Sequence, residues 1–345
     1  MTTVLCTLYN SLYLDKGLVL YDSLCECAKD FKLYVLCMDD KCYDVLTDLK
    51  QEHHIPVRLS DFEEGDEPLL EAKGNRSVGE YCWTCSSSFI RYVLIHFNEP
   101  VCTYIDADIY FYNDPQVLVD EMIEAGKSVM VVPHRFPENR MKEAKIVGRY
   151  CVEFNTFLNN ENSLTVLEYW RSRCLECCSN LRDGIHWGDQ KYLEELVEKF
   201  ECVHVCTNPG AGVAPWNISL YRNGNGSEVV YKPTEMIINV VFYHYQGVTY
   251  KTREVVSTAV KANKKDIDYK LVDTLYYQYL ECINHKKQFL NDKYGIDLLI
   301  KSHPSNKKAI GFRAFFHKTL TYKVLLKFLE WKNGSEPYVI NILCD

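Results

Sequence analysis

A chain of 345 residues, 47% hydrophobic and 25% charged, has the make-up of an ordinary globular protein, large enough for one big α/β domain with an appendage or for two domains. No apolar stretch reaches the ~18 to 20 residues that cross a bilayer. The net charge of -8 is unevenly spread, acidic before Lys251 and basic after it, and an acidic main body argues against nucleic acid as the principal partner.

In chain order, Thr3 to Tyr9 reads as a short apolar strand, followed by Asn10-Ser11 and a helical pattern at Leu14, Leu18, Tyr21 and Leu24. Phe31 to Cys37 is a second strand, Val45, Leu46 and Leu49 mark a second helix, and Ile55 to Leu59 is a weaker strand whose Pro56 suits an edge. The opening β-α-β-α-β order predicts a mainly parallel, doubly wound sheet with helices on both faces, and such sheets bind ligands at the carboxyl ends of their strands. Ser86 to Phe97 is expected to be a helix carrying Arg91 toward the following strand.

That strand is the buried run Val101 to Ile105, and Asp106 and Asp108 arrive where it should end. Side chains alternate along an extended chain, so the two carboxylates are expected on one side. Side by side they repel unless a cation sits between them, and a divalent metal held by so few protein oxygens keeps positions open for other ligands. Asp-X-Asp also fills turns and caps helices, so the three residues alone leave both readings open.

Ser128 to Pro133 reads as another buried strand, His134 to Arg149 as an irregular segment long enough to be a lid or a disordered loop, and Val152 to Leu158 as a strand with Asn155 embedded in it. A helix from Leu164 to about Cys178 follows. Asp189 stands where it could cap a helix running from Lys191 to Phe200. Val203 to Thr207 is a strand, and Met236 to Tyr245 is the last long strand-like run of a main body spanning 1–250. Residues 251–345 read as a helical, basic extension. Within it, Ile310 to Lys332 mixes aromatic and aliphatic residues with lysines and arginines, a composition suited to peripheral contact with an anionic membrane, but its charges do not keep to one helical face, which favours packing against the main domain.

The amino terminus has no basic region and no cleavage site, which predicts a cytoplasmic protein. Sixteen cysteines are therefore expected to be reduced, many of them (Cys6, Cys37, Cys102, Cys202, Cys206) acting as small hydrophobes. The pairs Cys82/Cys85 and Cys174/Cys177 have the gap of a zinc ribbon, but they lie far apart and the second falls inside a helical pattern.

Taken together, the motif order resembles the glycosyltransferases of family 8, the glycogenin-like group with the GT-A fold. The matching stretches are Thr7 to Asn10, Arg91, Asp106-Ala107-Asp108, Asn155, Asp189-Gln190 and His244-Tyr245-Gln246-Gly247, in the family's order. The resemblance implies that Asp106, Asp108 and His244 hold Mn²⁺, with Mg²⁺ as a substitute, and that the metal grips a nucleoside-diphosphate sugar, UDP-sugars being favoured. It implies further that Gln190 lies near the anomeric carbon, that Asp189 and Asn155 hold sugar hydroxyls, that Arg91 fixes the donor and that Thr7, Tyr9 and Asn10 line the nucleotide pocket. The transfer expected is front-face, with retention, to a glycan or lipid-linked acceptor. One departure stands out: where the family places a phosphate-binding lysine, this chain has Tyr250, with Lys251 one step later as the candidate replacement.

The same residues speak against two other chemistries. A phosphatase of the haloacid dehalogenase type expects Thr or Val where Tyr110 stands, and a sugar nucleotidyltransferase wants a Gly-rich loop where Tyr9-Asn10-Ser11-Leu12 is found. An inverting transferase on the same fold would use Asp189 as general base, and a carbohydrate-binding protein could keep the fold without catalysis. Trp83, Trp187 and Trp216 are candidates for an acceptor platform, or for packing.

Overall fold

The computed structural model describes residues 2–179, 186–224, 228–251, 255–262, 264–298 and 337–341. Its amino-terminal part alternates Thr3–Tyr9 (β1), Leu14–Cys27 (α1), Phe31–Cys37 (β2), Asp40–Leu49 (α2) and His54–Arg58 (β3). β1 and β2 are buried almost throughout, as strands covered on both faces must be, and they pair in parallel from Thr3 opposite Phe31 to Tyr9 opposite Cys37. Asp39 caps α2 through the Cys42 N–H and also accepts from the Ser11 N–H at 3.0 Å and its hydroxyl at 2.8 Å. One carboxylate thus ties together the loops that leave β1 and β2, at the edge where a ligand would enter.

Short helices Leu59–Glu63 (α3) and Glu67–Gly74 (α4) precede Val78–His96 (α5), which opens with a capping box between Ser77 and Glu80. Then come Val101–Ile105 (β4), Ile109–Phe111 (β5), Gln116–Glu124 (α6), Val129–Pro133 (β6), Met141–Val147 (α7), Tyr150–Leu158 (β7), Glu161–Glu176 (α8), Leu193–Lys199 (α9) and Val203–Val205 (β8). The central sheet has seven strands in the order β3-β2-β1-β4-β7-β6-β8, all parallel except β7, which runs against both of its neighbours. The mainly parallel α/β expectation therefore holds. Across the middle, Leu5 lies beside Thr103 and Thr156 on one face, and Cys6 beside Tyr104 and Asn155 on the other.

Three local expectations are corrected. The segment from His134 to Arg149 is irregular only at its ends: after 134–137 a 3-10 turn at Glu138–Arg140 leads into α7. The helix expected from Lys191 begins as a 3-10 turn, Gln190–Tyr192, and Asp189 makes no capping hydrogen bond to it. The run from Met236 to Tyr245 is two strands, because the chain changes sheets within it. Tyr221–Asn223 (β9), Glu228–Tyr231 (β10) and Met236–Asn239 (β11) form an antiparallel sheet, whereas Phe242–His244 (β12) pairs with β5.

Beyond them, Thr249–Tyr250 (β13), Val255–Lys261 (β14) and Pro337–Asn341 (β15) make a small antiparallel sheet, with Tyr269–Tyr294 (α10) between the last two. The extension is thus helical in α10 but also contributes strands. α10 buries one stripe (Leu271, Leu275, Tyr276, Tyr279, Leu280, Ile283), and Tyr279 stacks on Tyr245 with ring centroids 3.7 Å apart. The Ile310 to Lys332 segment lies outside the described residues. Among those described, no helix is long and apolar enough to cross a membrane.

Candidate functional site

β4 ends at Ile105, and the chain turns through Ala107 and Asp108 before β5 begins. The two aspartates converge because of this turn and not because of strand alternation. β12 lies along β5 with His244 opposite Ile109, and two further bonds fix it: the Tyr245 N–H donates to the Asp108 carbonyl and the His244 N–H to the Val213 carbonyl, both at 2.8 Å. His244 Nε2 is thereby held 3.1 Å from Asp108 Oδ1 and 3.6 Å from Asp106 Oδ2. Two carboxylates and an imidazole nitrogen meet at the carboxyl end of the sheet, where ligands of such sheets bind.

Lys16, on the first turn of α1, completes the cluster, with Nζ 3.4 Å from Asp108 Oδ2 and 4.2 Å from the centre of the Tyr13 ring. Burial disfavours the Asp108 charge, yet Lys16 and His244 together outweigh it and hold this carboxyl below its ordinary range. Burial likewise opposes charge on His244, but Asp108 and the hydrogen bonds around the ring push its proton affinity well up. Asp106 has less compensation: burial, with repulsion from Asp108 and Glu153 set against attraction to His244, raises it to about 6.

The other edge of the His244 ring faces inward. Its Nδ1 is 2.7 Å from Oε2 of Glu153, a residue of β7 that is completely buried. Cys151 lies beside them, its thiol pushed well up by burial. Trp216 packs edge-on to His244 and donates its indole N–H to the His134 carbonyl.

On the other side of the mouth, Asp189 is buried and accepts a 2.5 Å hydrogen bond from the Ser86 hydroxyl of α5. Burial and then the Asp106 charge raise its carboxyl to about 7. Tyr104 stands between these carboxyls: its hydroxyl is 3.4 Å from Asp106 Oδ1, and both Asp106 and Asp189 add to the upward push that burial exerts on it. Asn155 is its neighbour across the β4–β7 pair, wholly buried, with a side-chain oxygen that has no partner among the described residues. Gln190 is half-buried, and its amide donates to the Val147 carbonyl at the end of α7 at 2.7 Å.

The remaining expected residues are placed elsewhere. Arg91 lies on the solvent side of α5, paired with Glu168 of α8, because Phe89, Ile90, Val93 and Leu94 take the inward face. Tyr9 is buried: its ring lies so close under α1 that a Cβ on Gly17 would come within 2.3 Å of it, and its hydroxyl is 3.5 Å from His54. Thr7 is completely buried on β1, and its hydroxyl has no partner among the described residues. Asn10 caps the 3-10 turn at Ser11–Tyr13 by accepting from the Leu12 N–H, and of the three it alone stands at the mouth. Lys251 is exposed just after β13, its backbone N–H donating to the Val255 carbonyl, while Lys287 of α10 places its Nζ 3.2 Å from the centre of the Tyr250 ring. Trp83 is partly exposed against Gly188, and Trp216 serves packing. Lys16, Glu153, Tyr104 and Ser86 were not singled out by sequence, though Lys16 follows directly on the Asn10 loop.

No protein-family model matches the chain. It is 33% identical over 251 residues to the uncharacterized protein YfnD of Bacillus subtilis (strain 168), across 72% of this chain and 78% of that one. It is 29% identical over 301 residues to YfnF of the same organism, across 86% and 97%. Among solved structures it overlays on the galactosyltransferase LgtC in complex with donor and acceptor sugar analogs, with a TM-score of 0.52, 12% identity, and 82% and 96% of the two chains covered. At that identity the likeness establishes the fold, which is of the GT-A glycosyltransferase type.

Proposed function

The chain belongs to the family of the Bacillus subtilis protein YfnD, and we propose that it is a divalent-metal-dependent glycosyltransferase of the family 8 kind, moving a sugar from a nucleoside diphosphate to a glycan or lipid-linked hydroxyl. The observation that carries this reading is the convergence of Asp106, Asp108 and His244 Nε2 at the carboxyl end of the sheet, in a fold of the GT-A type. The donor set fits Mn²⁺ or Mg²⁺: two carboxylates and one imidazole are too few to fill an octahedral shell, so positions remain for a diphosphate. When bound, the cation would neutralise charge building on the departing nucleoside diphosphate.

The protein's own part is to place and to exclude. Lys16 offers the diphosphate a second positive charge, a role assigned to it in place of Lys251. Asn155, with an unused buried oxygen, and Asp189, whose carboxyl holds its proton to about 7, are suited to hydroxyls of the donor sugar. Gln190, tied to α7, links the sugar wall to a helical lid that can keep water out. As the bond from the anomeric carbon to the phosphate oxygen breaks, a bond to the acceptor oxygen forms on the same face, and the acceptor proton passes to the leaving diphosphate. UDP-sugars are the proposed donors and a cytoplasmic setting the proposed location, with peripheral membrane contact through the basic Ile310 to Lys332 segment.

A second reading is favoured by one observation: a carboxyl raised to about 7 is also a competent general base, so Asp189 could activate the acceptor in an inverting reaction. The anomeric configuration of the product, read by proton NMR, separates the two. The reading as a whole is tested by calorimetric titration of UDP and then GDP with and without Mn²⁺. Binding of one nucleotide only with Mn²⁺ is expected; binding of neither, under both conditions, would remove the proposal.

A further inference from the structure

Two groups of ligand-type side chains share the His244 ring. On the Nε2 edge stand Asp106 and Asp108, both partly open to solvent; on the Nδ1 edge stands Glu153, with Cys151 nearby, both closed. Cys151, Glu153 and His244 have ligand atoms within 4.8 Å of one another, so the inner set is itself a candidate for a cation. One imidazole cannot serve both edges as a neutral ligand, because a neutral ring carries a hydrogen on one nitrogen and a lone pair on the other.

Resting on the metal-dependent reading above, we propose that Glu153 is a positioning residue: it accepts the hydrogen of His244 Nδ1, and so turns the Nε2 lone pair toward Asp106 and Asp108 and keeps the cation out of the buried side. At 2.7 Å the contact needs one hydrogen between the two atoms, and the ring supplies it whenever Nε2 is given to a cation, because a neutral imidazole that ligates through one nitrogen carries its hydrogen on the other. The site is built around this contact. Glu153 is fully buried in the middle of β7, two residues before Asn155 and on the same face, and it reaches His244 without solvent. Gly212, with φ of +73°, makes room for it: a Cβ there would fall 2.4 Å from Glu153 Oε1, and that φ itself disfavours other residues. Oε1 has no hydrogen-bond partner among the described residues, an expensive arrangement for a carboxylate whose only task was to pack. A cation among Cys151, Glu153 and His244 would have to break the 2.7 Å contact, and it would be sealed from any diphosphate. Ligating histidines generally donate their second ring N–H to such an acceptor, and losing it costs metal affinity.

The test is Glu153→Gln, which keeps the shape but can donate as well as accept. Calorimetry with Mn²⁺ alone should show affinity falling about 10- to 100-fold. Nitrogen NMR of His244 with diamagnetic Mg²⁺ should show the hydrogen on Nδ1 in the wild type and a mixture of tautomers in the variant. Cys151→Ser should leave Mn²⁺ affinity unchanged. Affinity within twofold of wild type in Glu153→Gln, or a loss in Cys151→Ser equal to that in Glu153→Gln, overturns the proposal. If Glu153→Gln does not fold, the wild-type spectrum decides: a hydrogen on Nε2, with Nδ1 bare, rejects the role. A wild type that binds no divalent cation removes the functional reading, while the same spectrum still settles whether Glu153 holds Nδ1.

Discussion

Asp108 and Asp189 are carboxyls at the mouth of one sheet, the first partly open and the second buried, and their surroundings drive them in opposite directions. Asp108 faces Lys16 and His244, so it stays anionic despite burial. Asp189 has a hydroxyl, that of Ser86, for its hydrogen bond and the negative Asp106 nearby, so it keeps a proton to about 7. Asp106 stands between the two walls in place and in proton affinity, at about 6. In the proposed transfer the difference suits two tasks. A wall whose charge is balanced by charge is prepared to trade its cation for another; a wall that holds a near-neutral carboxyl is prepared to hydrogen-bond neutral hydroxyls or to exchange a proton with one.

If that division is right, the largest effects come from the charged wall. Asp108→Ala or His244→Ala should lower metal-dependent turnover by about 10³-fold or more while the far-ultraviolet circular dichroism stays that of the wild type. Full turnover in the presence of EDTA would break the comparison at its root. The wall proposed to hold the sugar is probed by Gln190→Ala, expected to slow transfer about 10²-fold with little change in nucleotide affinity. Equal loss of both would return Gln190 to a merely structural link with the Val147 carbonyl.

The two walls were not equally legible. Asp106 and Asp108 stood out because an apolar run ends in acids and the order of motifs around them favours a metal site over a turn, and His244 because a short motif surrounds it. Glu153 did not: a glutamate within a strand reads as the solvent-facing half of an alternation, and nothing local says that β7 is covered on both faces or that its partner is 91 residues away. Lys16 was hidden in the same way, as one charge in an amphipathic helix. Where the Arg91 and Tyr9 side chains point was illegible for a geometric reason. Periodicity finds the helix, but which of its faces meets the mouth is set by packing, and only Gly17 reveals that the Tyr9 ring slides under α1. The split of Met236 to Tyr245 was illegible because hydrophobic pattern marks a strand and not the sheet it joins.

A subtler test concerns the proton on Asp189. In the unfolded chain an aspartate loses its proton near pH 4, in the fold near 7, so ionising it costs the folded state more. Its raised value means that stability is lost as pH rises from about 4 to about 7 and then levels off. Asp189→Asn can still accept from Ser86 and never ionises. Its stabilising effect in urea melts without metal should therefore be larger at pH 8 than at pH 5, by about 2 kcal/mol. An effect independent of pH would mean that Asp189 is as well compensated as Asp108, and the contrast between the walls would close.

The smallest effect, and the one with the most informative sign, belongs to Lys16. Its ammonium is 3.4 Å from Asp108 Oδ2, and despite burial its proton affinity is raised by that carboxylate. In the absence of metal it therefore competes with any cation for Asp108, and Lys16→Ala should tighten Mn²⁺ alone by a few-fold, about 1 kcal/mol. With Asp108 engaged by a cation, the same ammonium is released toward an anion, so at saturating Mn²⁺ the variant should bind UDP about tenfold more weakly, about 1.4 kcal/mol, the size of one charge-assisted hydrogen bond. Opposite signs in the two titrations are what a shared cation predicts. If Mn²⁺ tightens and UDP is unchanged, Lys16 is only the counter-ion of Asp108 and the diphosphate finds its second charge elsewhere. If both weaken, Lys16 holds the α1 end of the mouth in place, and the charged wall is balanced by His244 alone.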